Sequence, residues 1–476
     1  MKRGEITVFL SIVFVLMISF VSGILQAAVI QSAKNMGRLE TDRAVYSVFG
    51  EYQKELLEEY HVFGLEGSYG TGSYSEENLI SRMHYYGTEG TEHKITGIQY
   101  LTDNRGQAFR EQVLAYMEQV NGIGIVREFT GLTSEWEEQE IQGQEMEEIQ
   151  TESMGEIENL NGLLESTEEQ QAVGDSTEGE ISGAAEDMSE NPFSFLEKIK
   201  QYGIVSVVLP EDMEISEKEI RLETQVSYRS LTTGRGSFPV RSGMDGIEER
   251  LLFNEYVLDQ YTNAVPEEEE NEERNRSLDY EVEYILSGKN SDEENLESVL
   301  FRIFLIRMAL NYAFLLTDTE RQGEAELLAL TVSALILMPE AAEGIKQLVI
   351  IAWAAGESVT DIRALLSGKR AALVKTSENW QTSLTSLFKL GESGGIEGRD
   401  DQEGICYKDY LRMLLFLKDT DDVTMRALDR TEENLRSEQQ LDHFRTDHCV
   451  TSLKMDNTVT LYDSLTYQFP VQFGYE

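Results

Sequence analysis

"GESGG", residues 391–395, matches the nucleophile pattern G-x-S-x-G, with Ser393 in the reactive position and His443 and His448 later in the chain. That pattern makes an acyl-transfer nucleophile when a strand enters and a helix leaves, so that the serine sits on a strained elbow beside an oxyanion hole. The residues that follow, "IEGRDDQEG", have no helical pattern, and a Gly-Ser-Gly cluster usually marks a loop. A chymotrypsin-like arrangement needs its histidine before the serine, and His61, His84 and His93 lack the surroundings of that family. The motif therefore reads as a loop, and the chain is expected not to be an enzyme.

Other chemistry-bearing groups fare similarly. His443, Asp447, His448 and Cys449 cluster in sequence, with Cys406 distant, but their spacing fits no closed zinc pattern. "DTDD", residues 419–422, lacks the glycine and terminal glutamate of a calcium loop and more simply caps a helix. The Gly-Lys pairs in "SGKNSDEEN" and "LLSGKRAA" stand without a glycine-rich phosphate cradle. No cofactor and no small-molecule substrate is expected. Cys406 and Cys449 are the only cysteines, and in an exported body they are a candidate disulfide worth a few kcal/mol in the chain-entropy model.

The elements behind these residues begin with "KRGEITVFLSIVFVLMISFVSGILQAAVIQSAKN", residues 2–35. From Ile6 to Ala33 no side chain is charged, and at about 1.5 Å per residue the run outspans a hydrocarbon core of roughly 30 Å. It is longer than the apolar core of a secretory signal, so an anchor is the first reading; the small residues at Val21–Gly23 and Leu25–Ala27 leave a cleavable signal as the alternative. Lys2 and Arg3 are nearly balanced by Lys34, Arg38 and Arg43, but the large acidic body follows the span, which favours an N-terminus inside the cell and the body outside. Ser19, Gly23 and Ala27 share one helical face and would let another membrane helix approach. Past the span, Met36, Leu39, Val45, Val48, Phe49, Tyr52, Leu56 and Tyr60 recur at helical steps, with Gly37 and Gly50 as points of weakness.

The chain has 476 residues, 87 acidic against 40 basic, for a formal charge of −47. Such a surface repels phosphate backbones and anionic lipid headgroups, which excludes nucleic acid as an expected partner. The fold class expected is α+β: a long N-terminal transmembrane and amphipathic helix, then a mixed ectodomain with a large helical part and short antiparallel strands. Four segments are expected. Residues 1–66 hold the span and amphipathic helix, and 67–133 a small α+β unit built on "HKITGIQYLTD" and "RGQAFREQVLAYMEQV". Residues 134–191 carry nineteen acidic residues among Glu, Gln, Ser and Gly, and read as a disordered spacer or an acidic tract for a basic partner or Ca²⁺. Residues 192–476 form the main ectodomain. There "IVSVVLP" reads as a buried strand, Ser291 caps a core helix, "LLALTVSALILM" and "QLVIIAWAA" make a buried hairpin or, alternatively, a second membrane hairpin, and "TVTLYDSLTYQFPVQFGYE" closes with strands.

"RGEITVFLSIVFVLMISFVSGILQAA" followed by "RAVYSVFGEYQKELLEEYHVFGLE" resembles the N-terminus of an uncharacterised clostridial and Gram-positive family of acidic membrane-anchored proteins. That family is encoded with tight-adherence (Tad/Flp) pilus machinery and is similar to TadE/TadG-like pseudopilins. "GIVSVVLP", "LLFNEYVLDQYTN" and "AWAAGESVTDIRALLSGKRAALVK" extend the resemblance along the chain. It implies a single-pass cell-membrane protein with an extracellular ectodomain, acting through contacts with other pilin-like or pilus-assembly subunits and carrying no catalytic residues. Prepilin-type processing would cut between Gly4 and Glu5, after the basic Lys2 and Arg3. The fifth mature position, glutamate in type IV pilins, is Phe9 here, which favours an assembly or tip-associated role over a filament core. A stand-alone cell-surface binding or sensing protein on an acidic stalk is the alternative.

Overall fold

The computed structural model describes residues 2–120, 129–172, 193–210, 213–266, 275–387, 390, 397–461 and 465–475. The fold is mixed and mostly helical, with one short antiparallel sheet. It divides into two compact units: Met1–Tyr116, Gln225–Met244 and Leu428–Glu476 form the first, and Met117–Thr224 with Asp245–Ala427 the second.

The first unit contains α1 (Lys2–Phe49), α2 (Lys54–Tyr60), β1 (Leu65–Glu66), α3 (Glu76–Met83), β2 (Thr91–Tyr100), most of α4 (Asp103–Val120), β3 (Cys449–Thr460) and β4 (Thr466–Gly474). β3 is central. It pairs antiparallel with β2 from Thr91↔Val459 to Tyr100↔Val450, and with β4 from Ser452↔Gly474 to Thr460↔Thr466, while β1 meets only Cys449 and Val450. Inward-facing Ile95, Ile98, Val450, Leu453 and Met455 form the core with Ala44, Val45, Val48 and Phe49 of α1 and Leu79 and Met83 of α3. Gly97 is a glycine because residues 225–244 cross β2 there. A Cβ would lie 3.3 Å from the Arg235 carbonyl oxygen and from Phe238, and Ile98 N–H donates to that same carbonyl.

The second unit holds α5 (Thr133–Ala172), α6 (Ser194–Tyr202), α7 (Ile247–Gln260), α8 (Glu281–Ser287), α9 (Asp292–Thr317), α10 (Thr319–Leu335), α11 (Ala342–Leu366), α12 (Tyr407–Leu417) and the first part of α13 (Thr420–Glu438). Ser291 Oγ accepts the Glu294 N–H and starts α9, as the capping pattern anticipates. α10 and α11 form the expected antiparallel hairpin, in which α11 is buried almost throughout from Leu348 to Leu366.

Three segments differ from the sequence reading. Residues 133–172 are a helix and not a disordered spacer, docked along 133–160: Trp136, Gly143, Met146, Ser153, Met154, Ile157 and Leu160 fall on one face, and Gly143 lets that face approach Ile306 of α9. One buried residue every three or four is enough to dock a helix whose other faces are carboxylates in water. Residues 173–192 lie outside the described residues. Val205–Val208 is a single helical turn and not a strand, because both Glu297 carboxylate oxygens accept backbone N–H groups at its start, from Ile204 at 2.7 Å and Val205 at 2.9 Å. The expected boundaries at 67, 134 and 192 give way to interleaved units, since β2 and β3 pair residues as distant as His93 and Asn457, 364 positions apart.

Candidate functional site

α1 is the feature with the clearest functional chemistry. Its N-terminal part, from Gly4 to about Ser32, touches almost nothing: Ile6, Phe9, Phe14, Phe20, Ile24 and Val29 all stand exposed, and the helix is long and apolar enough to cross a membrane. Glu5 is exposed in the first turn, where a carboxylate complements the helix dipole. Ser19, Gly23 and Ala27 lie on this bare part, and nothing stands within 4 Å of where a Gly23 Cβ would be.

From Lys34 onward α1 is fastened to β4, the two running side by side. Lys34 Nζ lies 5.0 Å from the Tyr467 ring centre and the Arg38 guanidinium 5.5 Å from that of Phe469. Phe49 packs against Phe473 and Tyr475, whose hydroxyl donates to the Phe49 carbonyl at 2.6 Å. Gly37 is pressed against Val459, 3.1 Å from where a Cβ would lie. Beyond Gly50, which ends the helix, burial opposes the charge of Glu51, but hydrogen bonds from Arg82 and Tyr86 outweigh it and hold the carboxyl below the usual range. Met36 and Leu39 stay exposed among the polar Asn35, Asp42 and Arg43, while Tyr46, 72% exposed, sets its ring edge 5.3 Å from Phe473 of β4.

The described residues among those singled out for chemistry sit in packing and capping roles. Ser393 lies outside the described residues. Asp447 is buried in an ionic cluster, accepting from Arg229 at 2.7 Å, Arg445 at 2.8 Å and the Thr232 N–H at 2.9 Å. Burial opposes its charge, yet the Arg445, Thr232 and Arg229 contacts keep its carboxyl well below the ordinary range. His448 stacks on Tyr74 at 5.3 Å, and burial lowers its basicity. Cys406 and Cys449 form no disulfide. Both are free thiols: Cys406 caps α12 with its Sγ 3.1 Å from Asp409, while Cys449, fully buried at the start of β3, has its thiol pushed well above the usual range by burial. Asp419 accepts the N–H groups of Asp421 and Asp422, a helix cap. The glycines of both Gly-Lys pairs, Gly288 and Gly368, adopt left-handed conformations just beyond helix ends. Among the described residues no three His, Cys, Asp or Glu side chains are placed to hold a metal ion.

Sequence reasoning missed the buried ionic networks. In the second unit Asp361 accepts from Arg307 at 2.7 Å, Asn311 at 3.2 Å and Lys375 at 2.7 Å. Lys375 also donates to Glu357 at 2.6 Å, and the other Glu357 oxygen accepts the Thr382 N–H and hydroxyl, both at 2.8 Å. Two acids face two bases, all at most 2% exposed, joining α9, α11 and the segment after α11. Burial opposes the Asp361 charge, and Arg307 and Lys375 overcome it. Every charge is matched, so the cluster fixes helix positions and leaves no group free for chemistry. The one signal in sequence is Glu357 and Asp361, four apart in a helix whose run from Leu348 to Ala355 is wholly apolar. Glu283 stands differently: Tyr407 donates to one oxygen at 2.8 Å, the other has no partner, and burial pushes its carboxyl up to about 7.

Comparison with known proteins gives one family, the family of unknown function DUF5702, matching residues 182–461. No curated protein and no solved structure matches the chain.

Proposed function

For a chain that belongs to the DUF5702 family over more than half its length, we propose a membrane-anchored, pilin-like assembly component of a Tad/Flp-type pilus or secretion apparatus, acting through protein contacts and not by catalysis. The observation that carries this reading is α1: one helix whose first part is bare and apolar and whose second part is the spine of an antiparallel sheet. The first part suits a single span with the body outside the cell. Met36 and Leu39 carry exposed apolar side chains just beyond the span, which suits side-by-side packing with other pilin-like helices. Prepilin-type cleavage between Gly4 and Glu5 would remove only the first residues of this helix, Lys2–Gly4.

A clean deletion should reduce surface pili, with complementation restoring them; unchanged piliation would refute the assignment. The second reading is a stand-alone cell-surface binding or sensing protein, for which unchanged piliation in the deletion would speak.

A further inference from the structure

α10 buries one side and displays the other. Ala325, Ala329, Val332 and Ile336 face α11, while Leu327, Leu330, Ala334, Leu335, Leu337 and Met338 are exposed along about three turns. Leu327 is 69% exposed and Leu337, at the tip of the hairpin, 82%. Leu337 is also held in the left-handed region, φ 57°, just past the helix end, a position where glycine is favoured. Its N–H donates to the Ala334 carbonyl at 3.2 Å and that of Met338 to Ser333 at 2.9 Å. The chain thus spends a strained backbone position on presenting a leucine to solvent. Around this face stand the exposed carboxylates Glu324, Glu326, Glu340 and Glu343. Both cations within residues 318–348 are already engaged, Arg321 with Asp318 at 2.5 Å and Lys346 with Glu326 at 3.2 Å.

We infer that the exposed face of α10, from Leu327 to Met338, is a docking surface for an amphipathic helix of a partner protein that carries an apolar stripe flanked by Lys or Arg. The stripe matches the straight apolar row of α10, in the manner of a third helix joining a hairpin, and the basic flanks match the carboxylate rim. A second copy of this chain would set carboxylate rim against carboxylate rim on bodies already at −47. A lipid surface is engaged by helices rimmed with Lys, Arg, Trp or Tyr, and residues 318–348 contain no Trp or Tyr and only those two engaged cations.

The test uses the full chain in phosphatidylcholine nanodiscs with three fluorescent peptides of about four turns: an amphipathic Leu/Lys helix, the same composition scrambled, and an amphipathic Leu/Glu helix. The amphipathic Leu/Lys peptide is expected to bind and the other two not. Its affinity should fall about tenfold or more in Leu330→Gln/Leu337→Gln and also in Leu337→Gly. Both variants should melt no lower than the parent, because the leucines make no core contact and glycine relieves the left-handed strain. Equal binding of the scrambled peptide, or unchanged binding by both variants, overturns the proposal. So does self-association that the double variant abolishes, which would assign the face to a second copy. A fluorophore on Thr331→Cys, in a Cys406→Ser background, quenched by brominated nanodisc lipid would assign it to the membrane.

Discussion

Replacing Lys375 by Met keeps the length of the side chain and removes its charge, leaving Glu357 and Asp361 to share Arg307 inside the second unit. Lys375 is 2% exposed and both acids 0%. Removing one partner of a buried ion pair strands a desolvated charge and costs about 3–5 kcal/mol. At about 2–4 °C per kcal/mol for a unit of this size, the melting temperature should fall by about 6–20 °C at pH 7.5. The stranded group is chiefly Glu357, since Asp361 keeps two bonds from Arg307 at 2.7 and 3.1 Å. Glu357→Gln on top of Lys375→Met restores the charge count, and an amide oxygen still accepts the Thr382 N–H and hydroxyl, so the double variant should recover at least about 2 kcal/mol. Thermal melts followed by near-ultraviolet circular dichroism at pH 7.5 decide it. A single-variant loss below about 1 kcal/mol, or a double variant equal to the sum of the singles, would refute the view that charge balance holds this core.

Three further outcomes follow from the same contacts. Glu283, pushed up to about 7, binds its extra proton in the folded state, so its contribution is full below the unfolded value near 4.3 and is lost as pH rises through about 7, a change of about 3 kcal/mol. Glu283→Gln keeps an acceptor for Tyr407, and the melting difference between variant and parent should therefore grow in the variant's favour from pH 5 to 8; a flat difference contradicts the burial argument. Because Cys406 and Cys449 are free, alkylation in denaturant without reductant should add two adducts to the intact mass, and none would mean a disulfide. The native chain should resist carbonate extraction from membranes and begin at residue 1, 2 or 5. A start between about residues 24 and 28 would show a cleaved signal and remove the anchor.

What the sequence discloses here is what depends on near neighbours. The alternation of β2, the Ser291 cap, the α10–α11 hairpin and the closing strands are set within a dozen residues each, and they fold as their patterns anticipate. α5 escaped because charge was weighed over the whole segment, whereas docking needs only the row from Trp136 to Leu160 and a place to lie against α9. Val205–Val208 is β-branched enough to suggest a strand, but a distant carboxylate, Glu297, supplies acceptors to a turn and overrides the propensity. The apolar stripe of α1 was visible, including Met36 and Leu39, yet which side would be covered was not. That side is set jointly by α3, which brings Leu79 and Met83, and by β4 with Tyr475 just after it, more than four hundred residues later, whose hydroxyl bonds the Phe49 carbonyl. The same holds for the ionic network, where Glu357 and Asp361 are legible as one helical face but nothing local names Arg307 and Lys375 as their partners.

This dependence on distant strands bears on how the anchor and the body are joined. Ala44, Val45, Val48 and Phe49 are apolar, and α3, β2, β3 and β4 together take them out of water. Lys34 and Arg38 are held over Tyr467 and Phe469, which sets where the bare segment ends and the body begins. The length of helix left free for a membrane or for neighbouring helices is therefore decided by the elements that cover Gly37 to Phe49, from α3 to β4, and not by the apolar run alone.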